Sequence, residues 1–70
     1  MKVKIFSRED CIYCQRAKEF LDGMEIEYTE EHQPTGMVPQ IYINEDHIGG
    51  YDDLINLTMT DEWDKYIVNV

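Results

Sequence analysis

Hydrophobic and polar residues alternate in KVKIF, residues 2 to 6, so that valine and isoleucine lie on one side of a strand and the lysines on the other. Apolar residues then recur at helical spacing from Ile12 to Asp22, and Gly23 stands where a helix would end. This spacing predicts one amphipathic helix, whose apolar side is formed by Tyr13, Ala17, Phe20, Leu21 and Met24. Alternation returns in EIEYTE, residues 25 to 30, which predicts a second strand.

A loop and a hairpin follow this first unit. The segment EHQPTGMVP, residues 31 to 39, contains two prolines and a glycine and cannot hold a regular element. The alternation in QIYIN, residues 40 to 44, predicts a third strand. We place a tight turn at residues 45–46, then a short fourth strand in HIG that the glycine pair at 49–50 ends.

Two helices complete the predicted order. The stretch YDDLINL carries aspartates where a first helical turn favours them, and Thr60 can cap a last helix that begins at Asp61. The buried face of that last helix is predicted to contain Trp63, Tyr66 and Ile67. The order strand, helix, strand implies two parallel strands joined by a right-handed crossover, and the hairpin adds an antiparallel edge. The predicted fold is therefore α/β with a mixed four-stranded sheet. We expect one domain, residues 1–70, with a small core.

The net charge of the chain argues against two classes of binding partner. Six basic and fifteen acidic residues give 6 − 15 = −9, which repels nucleic acid phosphates and anionic membranes. The first residues lack the apolar run of a signal peptide, and eighteen apolar residues never run together. We therefore expect a soluble cytoplasmic protein with reduced cysteines and no nucleic acid or membrane partner.

Both cysteines of the chain, Cys11 and Cys14, lie three positions apart at the start of the first predicted helix. A disulfide between them closes a loop worth only about 2 kcal/mol, against about 3 for a fifteen-residue loop, so a stabilising role is a poor explanation. The two side chains come within bonding range only if the first cysteine lies at or before the helix start. Free backbone N–H groups stabilise a thiolate there, which indicates Cys11 as the nucleophile and Cys14 as the resolving thiol.

Neighbouring charges act in both directions on that thiolate. Arg8 and Arg16 favour it, whereas Glu9 and Asp10 oppose it.

The two cysteines allow two other interpretations. A zinc site could use both cysteines with His32 and His47, but the histidines are fifteen positions apart and a second C-x-x-C is missing from the sequence. A purely structural role as small buried hydrophobes suits Cys14 better than both cysteines together.

Three segments in order, CIYC, MVPQIYIN and HIGGYDDL, resemble the glutaredoxins, and the likeness extends from KIFS to DKYI. The resemblance implies a minimal thioredoxin-like fold in which a loop replaces the usual second helix. It also implies a dithiol glutathione-disulfide oxidoreductase that reduces protein disulfides or glutathione mixed disulfides. Such a protein can donate electrons to a reductase such as ribonucleotide reductase.

The same resemblance implies the roles of individual residues. Cys11 matches the nucleophile that carries glutathione, and Cys14 matches the thiol that resolves protein disulfides. The glutathione site is implied to consist of Arg8, Tyr13, Val38, Pro39, Gly50, Asp52 and Asp53. Within it, Pro39 follows a cis bond, Val38 pairs with the cysteinyl part, and Arg8 meets the glycine carboxylate. Gly50 and the two aspartates receive the γ-glutamyl end, although the aspartates also suit the start of a helix.

The chain departs from the family in three places. Nine residues replace the helix between the second and third strands, which would leave one sheet face in water, with Lys2, Lys4, Glu25, Glu27 and Gln40 on it. Phe6 and Tyr42 would be exposed on that face, where they could mark a partner contact. Ile12 replaces the commonest proline of the motif, and Met37 stands where a threonine usually precedes the V-P pair.

These departures keep two alternatives open. One is a thioredoxin-like donor that is reduced by thioredoxin reductase. The other is a non-catalytic module for interaction or for binding an iron–sulfur cluster, because some relatives without that proline hold a cluster between two chains. We expect glutathione as the co-substrate, no resident metal and a monomer.

Overall fold

The computed structural model describes residues 1–67, and this part of the chain forms a four-stranded sheet with three helices. The elements, in chain order, are β1 (Val3–Ser7), α1 (Ile12–Gly23), β2 (Tyr28–His32), β3 (Gln40–Ile43), β4 (Asp46–Gly49), α2 (Tyr51–Thr58) and α3 (Asp61–Ile67). The strands lie in the order β2-β1-β3-β4; β1 and β2 are parallel, and the other two pairs are antiparallel. The mixed α/β sheet and the minimal thioredoxin-like fold are therefore confirmed.

The core lies between one face of the sheet and the helices. The alternation seen in the sequence puts Ile5, Ile41 and Ile43 on this face, where all three are fully buried, and Leu21 and Leu54 meet them from α1 and α2. Val3, Ala17 and Trp63 complete the buried cluster. Burying one large aliphatic side chain contributes about 1.5–3 kcal/mol, so these few residues supply most of the hydrophobic stabilisation.

The second strand begins three residues later than predicted. After α1 the chain turns at Glu25, whose φ is +60°, and the Ile26 N–H donates to the Leu21 carbonyl at 2.9 Å. This turn delays pairing until Tyr28, which lies opposite Val3. The prediction for residues 25 to 30 was wrong in its boundaries because alternation does not show where the chain leaves a helix. Tyr13 and Met24, predicted on the apolar side of α1, are both exposed.

The hairpin turn lies one position earlier than predicted. Asn44 and Glu45 have φ values of +52° and +74°, as a two-residue type I′ turn requires, and Asp46 already belongs to β4. The side chain of Asn44 also accepts a hydrogen bond from the Lys2 N–H at 2.8 Å, which ties the turn to the start of β1.

The junction between α2 and α3 differs from the prediction as well. The Thr60 hydroxyl donates to the Leu57 carbonyl at 2.8 Å, so it closes the end of α2, while the Thr60 carbonyl accepts the Trp63 N–H at 3.2 Å. Trp63 is buried as predicted, but Ile67 is 42% exposed and does not belong to the buried face.

Residues 33–39 form the irregular loop that joins β2 to β3, and on the sheet face opposite the core the side chains of neighbouring strands contact one another. Lys4 pairs with Glu31 across β1 and β2 at 2.9 Å. Phe6 and Tyr42 make an edge-to-face contact with ring centroids 5.8 Å apart, so each is half-buried rather than exposed. Glu25 and Glu27, predicted on this face, precede β2 instead. Among residues 1–67, no helix is long and apolar enough to cross a membrane.

Candidate active site at the start of the first helix

Cys11 is the residue that caps α1. Its backbone is extended, and its sulfur accepts the Cys14 N–H at 3.1 Å, while its carbonyl accepts the Gln15 N–H at 3.2 Å. The sulfur therefore takes the place that a serine or aspartate oxygen occupies in an ordinary helix cap, facing the positive end of the helix dipole. Cys11 is partly exposed as a residue, and both cysteines are free thiols.

Cys14 lies one turn into the helix and is completely buried. Burial, followed by the hydrogen bond with the side chain of Cys11, raises the pKa of Cys14 from 9.0 to about 11. A backbone hydrogen bond from Arg8 and the charge of Lys18 oppose this rise in pKa. The motif therefore holds one accessible sulfur at the helix start and one protonated sulfur beneath the surface.

The bond between Val38 and Pro39 is cis, as expected, and Pro39 is buried. The Val38 carbonyl lies 3.7 Å from the Cys11 sulfur. The segment before β3 thus runs directly beside the accessible thiol.

A groove of about 380 Å³ opens next to this contact. It brings together six of the residues predicted for a glutathione site, namely Tyr13, Val38, Pro39, Gly50, Asp52 and Asp53. The rings of Tyr13 and Tyr51 lie 6.1 Å apart on its wall, and the guanidinium of Arg16 lies 5.3 Å from the Tyr13 ring. The groove is therefore partly aromatic and partly acidic.

The acidic end of the groove is the start of α2. Asp53 accepts the Gly50 N–H at 2.9 Å, and the Gly50 carbonyl accepts the Leu54 N–H at 3.0 Å, so Asp53 stabilises its own helix. Gly49 has a φ of +124°, and a Cβ at this position would overlap the Asp53 carboxylate. Asp52 is exposed and leaves its carboxylate available to a ligand.

Arg8 lies outside this groove. Its guanidinium donates to the Gln33 carbonyl at 3.1 Å and lines a separate cavity of about 410 Å³ on the other side of the cysteine motif. In that cavity Lys18 pairs with Glu30 at 2.9 Å. The hydrogen bond from Ser7 and then the one from Lys18 lower the pKa of Glu30, and the Glu30 hydrogen bond raises the pKa of Lys18.

The two histidines lie in different places. His32 lines the cavity beside Arg8, whereas His47 lines the groove. Within residues 1–67 no three His, Cys, Asp or Glu side chains come together as metal ligands would.

Five residues that line the groove were not predicted for the site: Met37, Gln40, His47, Gly49 and Tyr51. The register of the hairpin, which pairs Tyr42 with His47, would have put Gln40 and His47 on one face of the sheet, since alternate residues share a face. Met37 and Tyr51 flank segments that were recognised, and nothing in the periodicity distinguishes them.

Comparison with known proteins gives consistent results. The family model described as Glutaredoxin matches residues 3–33. Glutaredoxin 3 of Escherichia coli K12 is 35% identical over an alignment of 69 positions, and the match covers 79% of this chain and 83% of that protein. The solution structure of the Brucella melitensis glutaredoxin superposes with a TM-score of 0.78 at 29% identity, over 100% of this chain and 94% of that one. The buckwheat glutaredoxin–glutathione complex has a TM-score of 0.73 at 23% identity, over 94% of this chain and 72% of that one, and shows the same fold.

Proposed function

The chain belongs to the glutaredoxin family and is a thiol–disulfide oxidoreductase. On this premise we propose that glutathione reduces it and that its substrates are protein disulfides or glutathione mixed disulfides. The observation that carries the proposal is the partly exposed residue Cys11 at a helix start, beside a groove of about 380 Å³. Ligand sites in proteins commonly enclose 300–1,000 Å³, a range that includes this groove.

In the proposed reaction Cys11 is the nucleophile. Its thiolate attacks the glutathione sulfur of a mixed disulfide, the substrate leaves as a thiolate, and glutathione stays bonded to Cys11. The thiolate of a second glutathione then attacks the bound glutathione sulfur, which yields glutathione disulfide and restores Cys11. One free glutathione thiol is consumed for each mixed disulfide that is reduced, because the other half of the glutathione disulfide comes from the substrate.

Cys14 takes part in the reaction when the substrate is a protein disulfide. Attack by Cys11 links the two proteins, and Cys14 then attacks the Cys11 sulfur, which releases the substrate thiol and forms the Cys11–Cys14 disulfide. Because Cys14 is buried and its pKa is raised, it must lose its proton as it attacks. Protonation in the resting state keeps Cys14 from competing for the substrate.

The groove suggests how glutathione would lie. The cysteinyl part would run beside Val38 as an added strand, which brings its sulfur to Cys11. The γ-glutamyl ammonium would pair with the exposed carboxylate of Asp52 at the start of α2, and its carboxylate would meet the N–H groups there. Tyr13 would cover the peptide from the α1 side.

A second candidate follows from the position of Arg8. Among the described residues, the lining of the groove includes no lysine or arginine, and the Arg16 guanidinium lies against the Tyr13 ring, so an anionic tripeptide meets no cation on the groove wall itself. This favours a thioredoxin-like donor that acts on a protein disulfide, ribonucleotide reductase being one example, and takes its electrons from thioredoxin reductase.

The test is NADPH-coupled reduction of a small mixed disulfide by glutathione and glutathione reductase, with wild type, Cys11→Ser and Cys14→Ser. We expect turnover that disappears with Cys11→Ser and survives Cys14→Ser. If none of the three turns over, glutathione dependence is wrong. Reduction by thioredoxin reductase alone would then support the second candidate, and visible absorbance after anaerobic purification would support cluster binding.

A further inference from the structure

The loop at residues 33–39 carries Val38 but has no regular backbone structure of its own. In place of the missing helix, the loop has a set of side-chain hydrogen bonds. These bonds converge on one carbonyl, that of Met37, directly before Val38. The loop segment that lies beside Cys11 is thus held by a few identifiable groups.

Gln33 fixes the first half of the loop. Its side-chain amide donates to the Thr35 carbonyl at 2.9 Å and to the Met37 carbonyl at 3.2 Å, so both hydrogens of the amide are used. Its backbone N–H donates to the Ser7 carbonyl at 2.9 Å, and its carbonyl accepts from Arg8. Gln33 therefore joins the loop to the strand end that precedes the cysteine motif.

Gln40 fixes the second half. Its side-chain amide donates to the Met37 carbonyl at 3.0 Å. Its side-chain oxygen then faces His47, whose Nε2–H donates to it, so the orientation of the Gln40 amide is determined by both partners. Gln33, Gln40 and His47 form a continuous chain of hydrogen bonds from the loop to β4.

We propose that Gln33 and Gln40, here called the amide clamp, are positioning residues that hold the Val38 edge at the distance from Cys11 which an extended peptide needs. The clamp sets affinity for the peptide part of a disulfide substrate, while the sulfur chemistry stays with the cysteines. The inference rests on the proposed function, because it assumes that the substrate's backbone pairs with Val38. The Met37 carbonyl needs N–H donors, so glutamate at either position removes a hydrogen bond and puts a carboxylate against a carbonyl.

The test compares two disulfides in single-turnover reactions with the reduced protein. Glutathione disulfide has a peptide backbone that can pair with Val38, and bis(2-hydroxyethyl) disulfide lacks one and reports the reactivity of Cys11. The ratio of the two second-order rate constants measures peptide preference. Gln40→Glu and Gln40→Leu are compared with Asn56→Asp, which makes the same amide-to-carboxylate change on the exposed side of α2.

We expect each Gln40 variant to lower the ratio about two- to tenfold, the range that corresponds to one net hydrogen bond, and Asn56→Asp to leave it at the wild-type value. Gln33→Leu should lower it at least as much, and if that variant does not fold, the Gln40 pair decides alone. An unchanged ratio in both Gln40 variants overturns the clamp. So does a loss with Gln40→Glu that Gln40→Leu does not share, because charge then explains it.

The coupled assay separates this inference from the proposed function. Turnover of wild type with glutathione and an unchanged ratio in the variants would reject the clamp alone. Absence of that turnover, with a ratio that still falls in the variants, would reject glutathione as reductant and keep the clamp.

Discussion

Cys14 should resist alkylation at a pH where the other thiol of the motif reacts readily. The thiolate is the reactive form of cysteine, and burial together with the hydrogen bond to Cys11 raises the pKa of Cys14 from 9.0 to about 11. Cys11 lies at the surface of the same motif, where a reagent can reach it.

The expected size of the effect follows from that pKa. At pH 8 a thiol with a pKa of 9.0 is about 9% ionised, whereas one with a pKa of about 11 is about 0.1% ionised, because each pKa unit is a factor of ten. Cys14 should therefore react on the order of a hundredfold more slowly in the folded protein than in the unfolded chain. Complete burial of its side chain slows the reaction further.

The assay is timed alkylation of the reduced protein with iodoacetamide at pH 8, followed by trypsin and fragmentation mass spectrometry. Cleavage after Arg8 and Arg16 puts both cysteines on one peptide, and its fragments show which sulfur carries the first label. The same protein in urea is the control, where the two cysteines should react at similar rates.

First labels shared equally between the two cysteines of the folded protein would refute this reasoning. So would first labels mainly on Cys14. Either result would mean that the buried thiol is accessible and ionised in the resting protein, and first labels mainly on Cys14 would also reverse the assignment of roles.

Three further predictions concern stability. Gly49→Ala should destabilise the fold by about 1–3 kcal/mol in urea unfolding, because φ at this position is +124° and the new Cβ overlaps the Asp53 carboxylate. The control is Gly23→Ala, which should be neutral or stabilising because the space around its Cβ is open. Leu54→Ala removes a fully buried side chain and should cost about 2–5 kcal/mol, and a loss below 1 kcal/mol would contradict the described core. Hydrogen bonds from Ser7 and Lys18 lower the pKa of Glu30 in the folded protein. The ionised side chain therefore contributes fully to the free energy of unfolding above the ordinary glutamate pKa of about 4.3. This contribution is lost as the pH falls through the lowered pKa. The stability gap between wild type and Glu30→Gln should therefore shrink on acidification below about pH 4, and a gap that is constant or grows would reject this linkage.

Much of the fold was predictable because short strands leave a clear alternation. Val3 and Ile5 in β1, and Ile41 and Ile43 in β3, are four positions that the pattern assigned to the buried face, and all are buried, whereas Ile26 and Tyr28 of the second predicted strand are partly buried. The boundaries were less predictable where residues other than glycine adopt a positive φ. Glu25 does so after α1, and a glutamate gives no local signal for that conformation.

In the candidate site, too, some features were predictable from the sequence and others were not. The C-x-x-C spacing and the position at a helix start indicated that Cys11 would cap α1, and it does. The surroundings of Arg8 depended on the path of the loop, because a guanidinium binds whichever carbonyl the backbone brings near it. Gln33 and Gln40 were not identified for the same reason, since hydrogen bonds across a loop follow from its three-dimensional path and not from periodicity.

The most direct test of the central claim is to trap the intermediate on one sulfur. The Cys14→Ser protein, which lacks the resolving thiol, is incubated with glutathione disulfide and its intact mass is measured before and after reduction. We expect the mass of one added glutathione, located on Cys11 by fragmentation and lost on reduction. No adduct on Cys11, from a folded and fully reduced protein, would contradict the account.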